Sequence, residues 1–278
     1  MKIFKLTLPG LAALAVCGAA AGQGANERGI ISLSDPTRLA TVHLGLIQGS
    51  IAVRGTDRKD VLVEAHVDDD GEKTSKPDAN GLRRIPQRAP LSVEEENNRV
   101  AIAAGSPNRF YKFTIEVPAK TNLEISTVNG GEVTVDGVDG ELEIGNVNGG
   151  ITLTRVGGSV VAHTTNGGVH VTMSRVAPQK PMAFTTLNGD VDVSFPASTK
   201  ANLKLRSDQG EIFTDFELKL LPGSSKPTIE DTRKEGGRYR IEINKALSGT
   251  INGGGPDFEM RSFTGNIFVR DGSKGKPQ

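Results

Sequence analysis

Asn129-Gly130-Gly131, Asn148-Gly149-Gly150, Asn166-Gly167-Gly168 and Asn188-Gly189-Asp190 recur at spacings of 19, 18 and 22 residues, and Gln209-Gly210-Glu211 follows after 21 more. Asn-Gly pairs alone mark turns in many folds, so the residues around them decide. One place before the four anchors stand Val128, Val147, Thr165 and Leu187. Four before are Ile125, Ile144, Ala162 and Phe184; six before are Leu123, Leu142, Val160 and Met182. Apart from Thr165 all are apolar. Before Gln209 the same offsets give Asp208, Leu205 and Leu203. Three and five places after the anchors come Ile151 and Leu153, Val169 and Val171, Val191 and Val193, then Ile212 and Thr214. After Asn129 the pair is Val133 and Val135, displaced by one, as an inserted residue or bulge would do.

The frame extends to both ends. Around Gln48 it finds Val42, Leu44, Ile47, Ile51 and Val53; around Thr264 it finds Phe258, Met260, Phe263, Ile267 and Val269. The 81 residues from 48 to 129 correspond to about four periods, and the 55 from 209 to 264 to fewer than three.

Apolar residues two apart, with Glu143, Thr152, His163, His170 and Asp192 between them, show the period of strands with one buried and one wet face. The turn residues Asn129, Gly130, Asn148, Gly149, Asn166, Gly167, Asn188 and Gly189 suit sharp reversals. A second turn falls midway, at Asp136-Gly137-Val138-Asp139-Gly140 and again at Val156-Gly157-Gly158. Each unit of about 20 residues is then two short strands and two turns, too small to bury its own apolar face. Stacked units place like residues above like at about 4.8 Å. The expectation is an all-β chain, a single-stranded β-solenoid or β-helix of roughly 20-residue coils. A β-sandwich or barrel of hairpins is the alternative, since Asn-Gly is also a hairpin signal.

Lys2 and Lys5, the apolar run Leu6 to Val16 and Ala19-Ala20-Ala21 form a secretory signal over residues 1–21. Cys17, the only cysteine, closes the apolar run and makes a lipid anchor at Cys17 the alternative outcome of export. The run is too short to cross a bilayer as a helix, so the mature chain has no expected transmembrane segment. Residues 22–38 read as a linker and 39–271 as the repeat domain. Polar, Pro-rich loop insertions interrupt it near 68–90 and 219–237, and 272–278 is a disordered tail.

With 33 basic and 33 acidic residues, bulk positive charge toward nucleic acid is excluded. One cysteine excludes a disulfide scaffold or thiolate metal site. Twelve aromatics in 278 residues, none of them Trp, leave a core of Val, Ile and Leu and few platforms for sugar rings.

The strands joined by Val-Asn-Gly-Gly turns behind a signal segment resemble the bacterial putative-adhesin family, a domain of unknown function built from β-strand repeats. The resemblance covers roughly residues 40–270 and is clearest from Leu123 to Phe216. It implies an exported, solenoid-like protein of the cell envelope and supplies no catalytic residues.

Nor do the residues themselves assemble a catalytic set. The four histidines, His43, His66, His163 and His170, sit on strands. His163 and His170, flanking the Asn166 turn, are the one candidate metal pair, against the plainer reading as exposed strand residues. Asp190 with Asp192, and Asp136 with Asp139, are the candidate acid–base pairs of a carbohydrate-active enzyme, against solvated turns and strand faces. Gly249 to Gly255 lacks the Lys of a phosphate loop and reads as a turn. Phe110 and Tyr111 form an isolated aromatic pair. The row Asn129, Asn148, Asn166 and Asn188 offers an amide ladder, against simple turn chemistry. The expectation is therefore a non-enzymatic scaffold or interaction surface, without cofactor or metal. Its partner is an unknown protein or glycan, and its place is the periplasm, cell surface or medium. A carbohydrate-active enzyme and an end-to-end assembly module are the rivals.

Overall fold

A computed structural model of the chain describes residues 26–68, 91–105, 107–221, 228–231, 239–242 and 246–274. The stretch expected as a signal, with Cys17, lies outside them. So do the insertion from residue 69 to 90, most of the second insertion, and the last four residues of the tail.

The described residues form strands and no helix. In the N-terminal part these are β1 (Asn26–Ser32), β2 (Ala40–Thr56), β3 (Asp60–Asp68), β4 (Leu91–Glu96), β5 (Arg99–Ala104) and β6 (Phe110–Pro118). The Asn-Gly repeats supply β7 (Thr121–Asn129), β8 (Val133–Asp136), β9 (Asp139–Asn148), β10 (Ile151–Asn166), β11 (Val169–Val176), β12 (Met182–Asn188) and β13 (Val191–Phe195). Then follow β14 (Ala201–Ser207), β15 (Ile212–Thr214), β16 (Lys219–Leu220), β17 (Thr228–Asp231) and β18 (Tyr239–Glu242). The chain closes with β19 (Leu247–Ile251), β20 (Asp257–Ser262) and β21 (Ile267–Asp271).

Their pairing builds two faces. On the first, β5, the start of β2, β7, β9, the end of β10, β12, β20 and β14 follow one another in parallel. On the second, β6, the end of β2, β8, the start of β10, β11, β13, β21 and β15 do the same. β2 and β10 run through both faces and join them at a corner. At about 4.8 Å per step, eight strands make a stack roughly 34 Å high. Antiparallel strands extend its ends: β4 beside β5, β3 and β1 beyond β6, and β19 with β16 beyond β14. Among the described residues, hairpins of consecutive strands are confined to β4–β5 and β17–β18.

Between the faces lies an apolar core. In spatial order one of its rows is Leu44, Ile125, Ile144, Ala162, Phe184, Met260 and Leu205, all buried. Fully burying one such large side chain contributes about 1.5–3 kcal/mol, so a row continuous through seven levels is a principal source of stability. The displaced pair after Asn129 behaves as an insertion at the turn: Asn129 pairs with Asn148, and Val133 still pairs with Ile151.

The order of levels differs from the order along the chain. Gln48 pairs directly with Asn129, with no coils between them. At the other end β20 and β21 enter between the Asn188 and Gln209 coils, so the levels run Gln48, Asn129, Asn148, Asn166, Asn188, Thr264, Gln209. Coils with the same inward pattern accept one another as neighbours wherever the chain can return, and periodicity alone does not rank them. The N-terminal stretch expected as a linker includes a strand. Residues 26–32 are a strand paired with β3, where Ile31 packs on the core.

Tyr111 belongs to the interior rather than to an isolated pair, and its ring stacks on Phe113 at 5.8 Å. Phe184, Phe195 and Phe258 form a second aromatic cluster around the inserted level, with centroids 6.2 and 5.3 Å apart.

Candidate functional site

At the corner after each first-face strand the asparagines form a hydrogen-bonded ladder. Asn148 Nδ2 donates to Asn129 Oδ1, Asn166 Nδ2 to Asn148 Oδ1, and Asn188 Nδ2 to Asn166 Oδ1, each at 2.8 Å. The positive backbone angles fall on Gly130, Gly167 and Gly189 rather than on the asparagines, whose side chains are thus the feature the repeat preserves. Two places earlier runs a buried polar row that a search for apolar columns passes over. Thr164, Thr186, Ser262 and Ser207 donate hydroxyls at 2.8 Å to the carbonyls of Gly149, Gly167, Gly189 and Gly265. Asn146 Nδ2 donates to Gly131 O at 2.9 Å. Each bond ties one level to the turn of the next and satisfies a carbonyl that burial would otherwise leave unpaired. The recurring Thr, Asn, Thr, Thr, Ser, Ser at that offset was the available signal.

Outward from the first face the strand alternation produces an apolar row of a different kind. Ile47, Val128, Val147, Leu187 and Phe263 occupy the place just before the corner, and each remains 39–49 % exposed. The apolar identity of that column reads as core in the sequence, but odd and even offsets from the corner point to opposite sides of the sheet. Beside this row the outer positions are small at Gly45, Ser126 and Gly145. The His163 imidazole lies over Gly145, and a Cβ there would stand 2.8 Å from its Nε2. A hollow of about 170 Å³ results, lined by His43, Glu124, Ser126, Glu143, Gly145 and His163. Glu124 accepts two hydrogen bonds from Arg99, at 3.1 and 2.5 Å, and stands 3.4 Å from His43 Nδ1. The bonds from Arg99 hold its carboxyl below the ordinary glutamate range, with the charges of Arg99 and His43 adding to the effect and slight burial opposing it.

The family model of Toastrack, DUF4097, matches residues 26–252. The chain belongs to the Toastrack family. The match ends before β20, so the inserted level lies beyond it. No curated protein matches this Toastrack chain. Among solved structures it is similar to a putative cell adhesion protein from Clostridium sporogenes, at 12% identity over 90% of this chain and 100% of that one, with a TM-score of 0.45. It is also similar to a putative adhesin from Bacteroides fragilis, at 10% identity over 89% of this chain and 97% of that one, with a TM-score of 0.31.

In the Toastrack stack the candidate acid–base groups are engaged structurally. Asp190 Oδ1 accepts from Asn266 N at 2.7 Å and Asp192 Oδ1 from Arg270 Nε at 2.7 Å. Asp136 is paired with Arg155 and Asp139 with Arg175. His163 lies on the first face and His170 on the second, so the turn between them separates rather than joins them. No group of three His, Cys, Asp or Glu residues is arranged to hold a metal among the described residues. Gly253 and Gly254, both with positive φ, follow Asn252 in the turn between β19 and β20; the Asn252 amide donates to the carbonyls of Ala197 and Thr199. A larger hollow of about 440 Å³ at this end is walled by Pro178, Pro196 and Pro256, with Arg175 and Lys200 on its rim. No helix of the described residues is long and apolar enough to cross a membrane.

Proposed function

We propose that this Toastrack protein is an exported cell-envelope protein of adhesin-like type, and that its body is a β-solenoid serving as a non-enzymatic scaffold or interaction surface. The signal segment at residues 1–21 supports export to the periplasm, cell surface or medium. The observation that carries the reading is the exposed row Ile47, Val128, Val147, Leu187 and Phe263. Large apolar side chains aligned on a hydrogen-bonded sheet are held ready for contact and cost little further ordering on binding. The partner is a protein or glycan surface.

The test compares the wild type with the triple variant Val128→Ser, Val147→Ser, Leu187→Ser, using labelled purified protein on a glycan array and on intact bacterial cells. The reading expects wild-type binding that the variant loses while its thermal unfolding stays close to that of the wild type. Equal binding by both, or turnover of a polysaccharide that disappears with Asp190→Ala, would overturn it.

A further inference from the structure

The four Asn-Gly pairs share one chemistry and differ in restraint. When Gly follows Asn, the glycine amide nitrogen attacks the asparagine Cγ, a C–N bond closes a succinimide ring, and ammonia leaves. Water then opens the ring to aspartate or isoaspartate, so one water is consumed for each ammonia released. The reaction needs a carboxamide free to swing and a glycine nitrogen free of other bonds.

At the two inner positions both are held. Asn148 and Asn166 each donate to one ladder neighbour and accept from the other, and Gly149 N and Gly167 N donate to the carbonyls of Asn166 and Asn188 at 2.8 and 2.9 Å. Asn129 ends the ladder, accepting from Asn148 alone, and Gly130 N reaches the Asn148 carbonyl at 3.3 Å. Asn188 ends it on the other side, donating to Asn166 Oδ1 and accepting from no asparagine. The next level brings Thr264 instead of an asparagine, and its hydroxyl approaches Asn188 Oδ1 only at 3.4 Å. Gly189 N has no hydrogen-bond acceptor among the described residues.

We propose that Asn188-Gly189 is a covalent modification site at which the last asparagine of the ladder deamidates, ahead of Asn129 and well ahead of Asn148 and Asn166. The product has a local consequence. A carboxylate at 188 carries no N–H for Asn166 Oδ1, so the last ladder bond is lost, and a new negative charge stands two residues from Asp190, which anchors the inserted level through Asn266 N. Isoaspartate further lengthens the main chain at the corner against which Thr264 N bonds Leu187 O.

The experiment incubates the folded full chain in mildly alkaline water enriched in oxygen-18 and follows the four sites by peptide mapping. Asn188 is expected to take up label first, about fivefold faster than Asn166, the factor that loss of one hydrogen bond of ordinary strength supports. In denaturant the difference between the sites is expected to shrink, because each is Asn followed by Gly. Thr264→Asn, which offers the ladder one more carboxamide, is expected to slow Asn188. Label appearing first at Asn148 or Asn166, equal rates at all four sites in the folded chain, or an Asn188 rate untouched by Thr264→Asn would overturn the proposal.

Discussion

Phe184 is paired with Met260 in the buried row of the first face, although 76 residues separate them and Leu205 is the next inward residue of that row along the chain. Leu205 lies one level further out, paired with Met260 from the other side. The last strands of the chain therefore form an interior level of the stack, and the coil that precedes them in sequence lies outside it.

An interior level must carry more stability than the level that covers it. Phe258 is fully buried and stacks on Phe195 at 5.3 Å, whereas Phe213 in β15 is 45 % exposed and stacks on Phe268. Phe258→Ala is expected to cost about 3–5 kcal/mol in urea unfolding, and Phe213→Ala less than about 1.5 kcal/mol. Comparable losses would place the C-terminal level at the surface.

The buried hydroxyl row makes a second, independent demand. Thr186 Oγ1 donates to Gly167 O and Ser262 Oγ to Gly189 O, each at 2.8 Å. Removing the donor while keeping the volume, as in Thr186→Val, leaves a carbonyl unpaired and is expected to destabilise by about 1–3 kcal/mol. Thr165→Val, on the outward side of the neighbouring level, is expected to change stability by less than about 0.5 kcal/mol. Thermal unfolding of the two variants under one condition measures the difference.

Two glycines separate close approach from backbone strain. Gly158 and Gly253 have nearly the same φ, 97° and 91°. A Cβ on Gly158 would stand 2.1 Å from the Gly140 carbonyl oxygen, while one on Gly253 meets nothing within 4 Å. Gly253→Ala is expected to cost about 1–2 kcal/mol, the ordinary penalty for a left-handed alanine. Gly158→Ala adds the clash between levels and is expected to exceed about 4 kcal/mol or to give no folded protein.

Glu124 titrates with the hydrogen bonds of Arg99. Because its folded pKa is depressed, the pair's contribution is present above the unfolded glutamate pKa and is lost as the pH falls through the folded value. Both side chains are more than a third exposed, so solvent screening keeps the contribution small. Carboxyl titration by NMR is expected to show Glu124 below the ordinary glutamate range in the wild type, and to show it move back toward that range in Arg99→Gln. A Glu124 pKa unmoved by that substitution would contradict the assignment.

Much of this architecture was legible in the sequence because burial repeats with the coil. Ile125, Ile144, Ala162 and Phe184 share an offset, and they share a row. Burial could not be read at Val147 or Leu187, where apolarity and exposure coincide and only strand parity tells inside from outside. The Thr186 row was legible in principle, yet a polar column inside a core is found only by asking what satisfies the turn carbonyls. The position of β20 was not legible. Its inward residues and those of β14 fit the same frame, and chain spacing favoured β14 as the neighbour of β12. Asp190 and Asp192 were visible as candidate acids, but their engagement by Asn266 and Arg270 depends on the inserted level and so was hidden with it.

The order of levels can be measured by cross-linking outward-facing cysteines in a variant whose Cys17 is replaced. Ala183 pairs with Glu259 across one level, while Lys204 lies on the far side of Glu259. Neighbouring parallel strands are about 4.8 Å apart, within disulfide reach, and alternate ones about twice that, beyond it. Oxidation is expected to join Ala183→Cys to Glu259→Cys and to leave Ala183→Cys with Lys204→Cys reduced. A disulfide between 183 and 204, with none between 183 and 259, would show the coils stacking in chain order and contradict the inserted level.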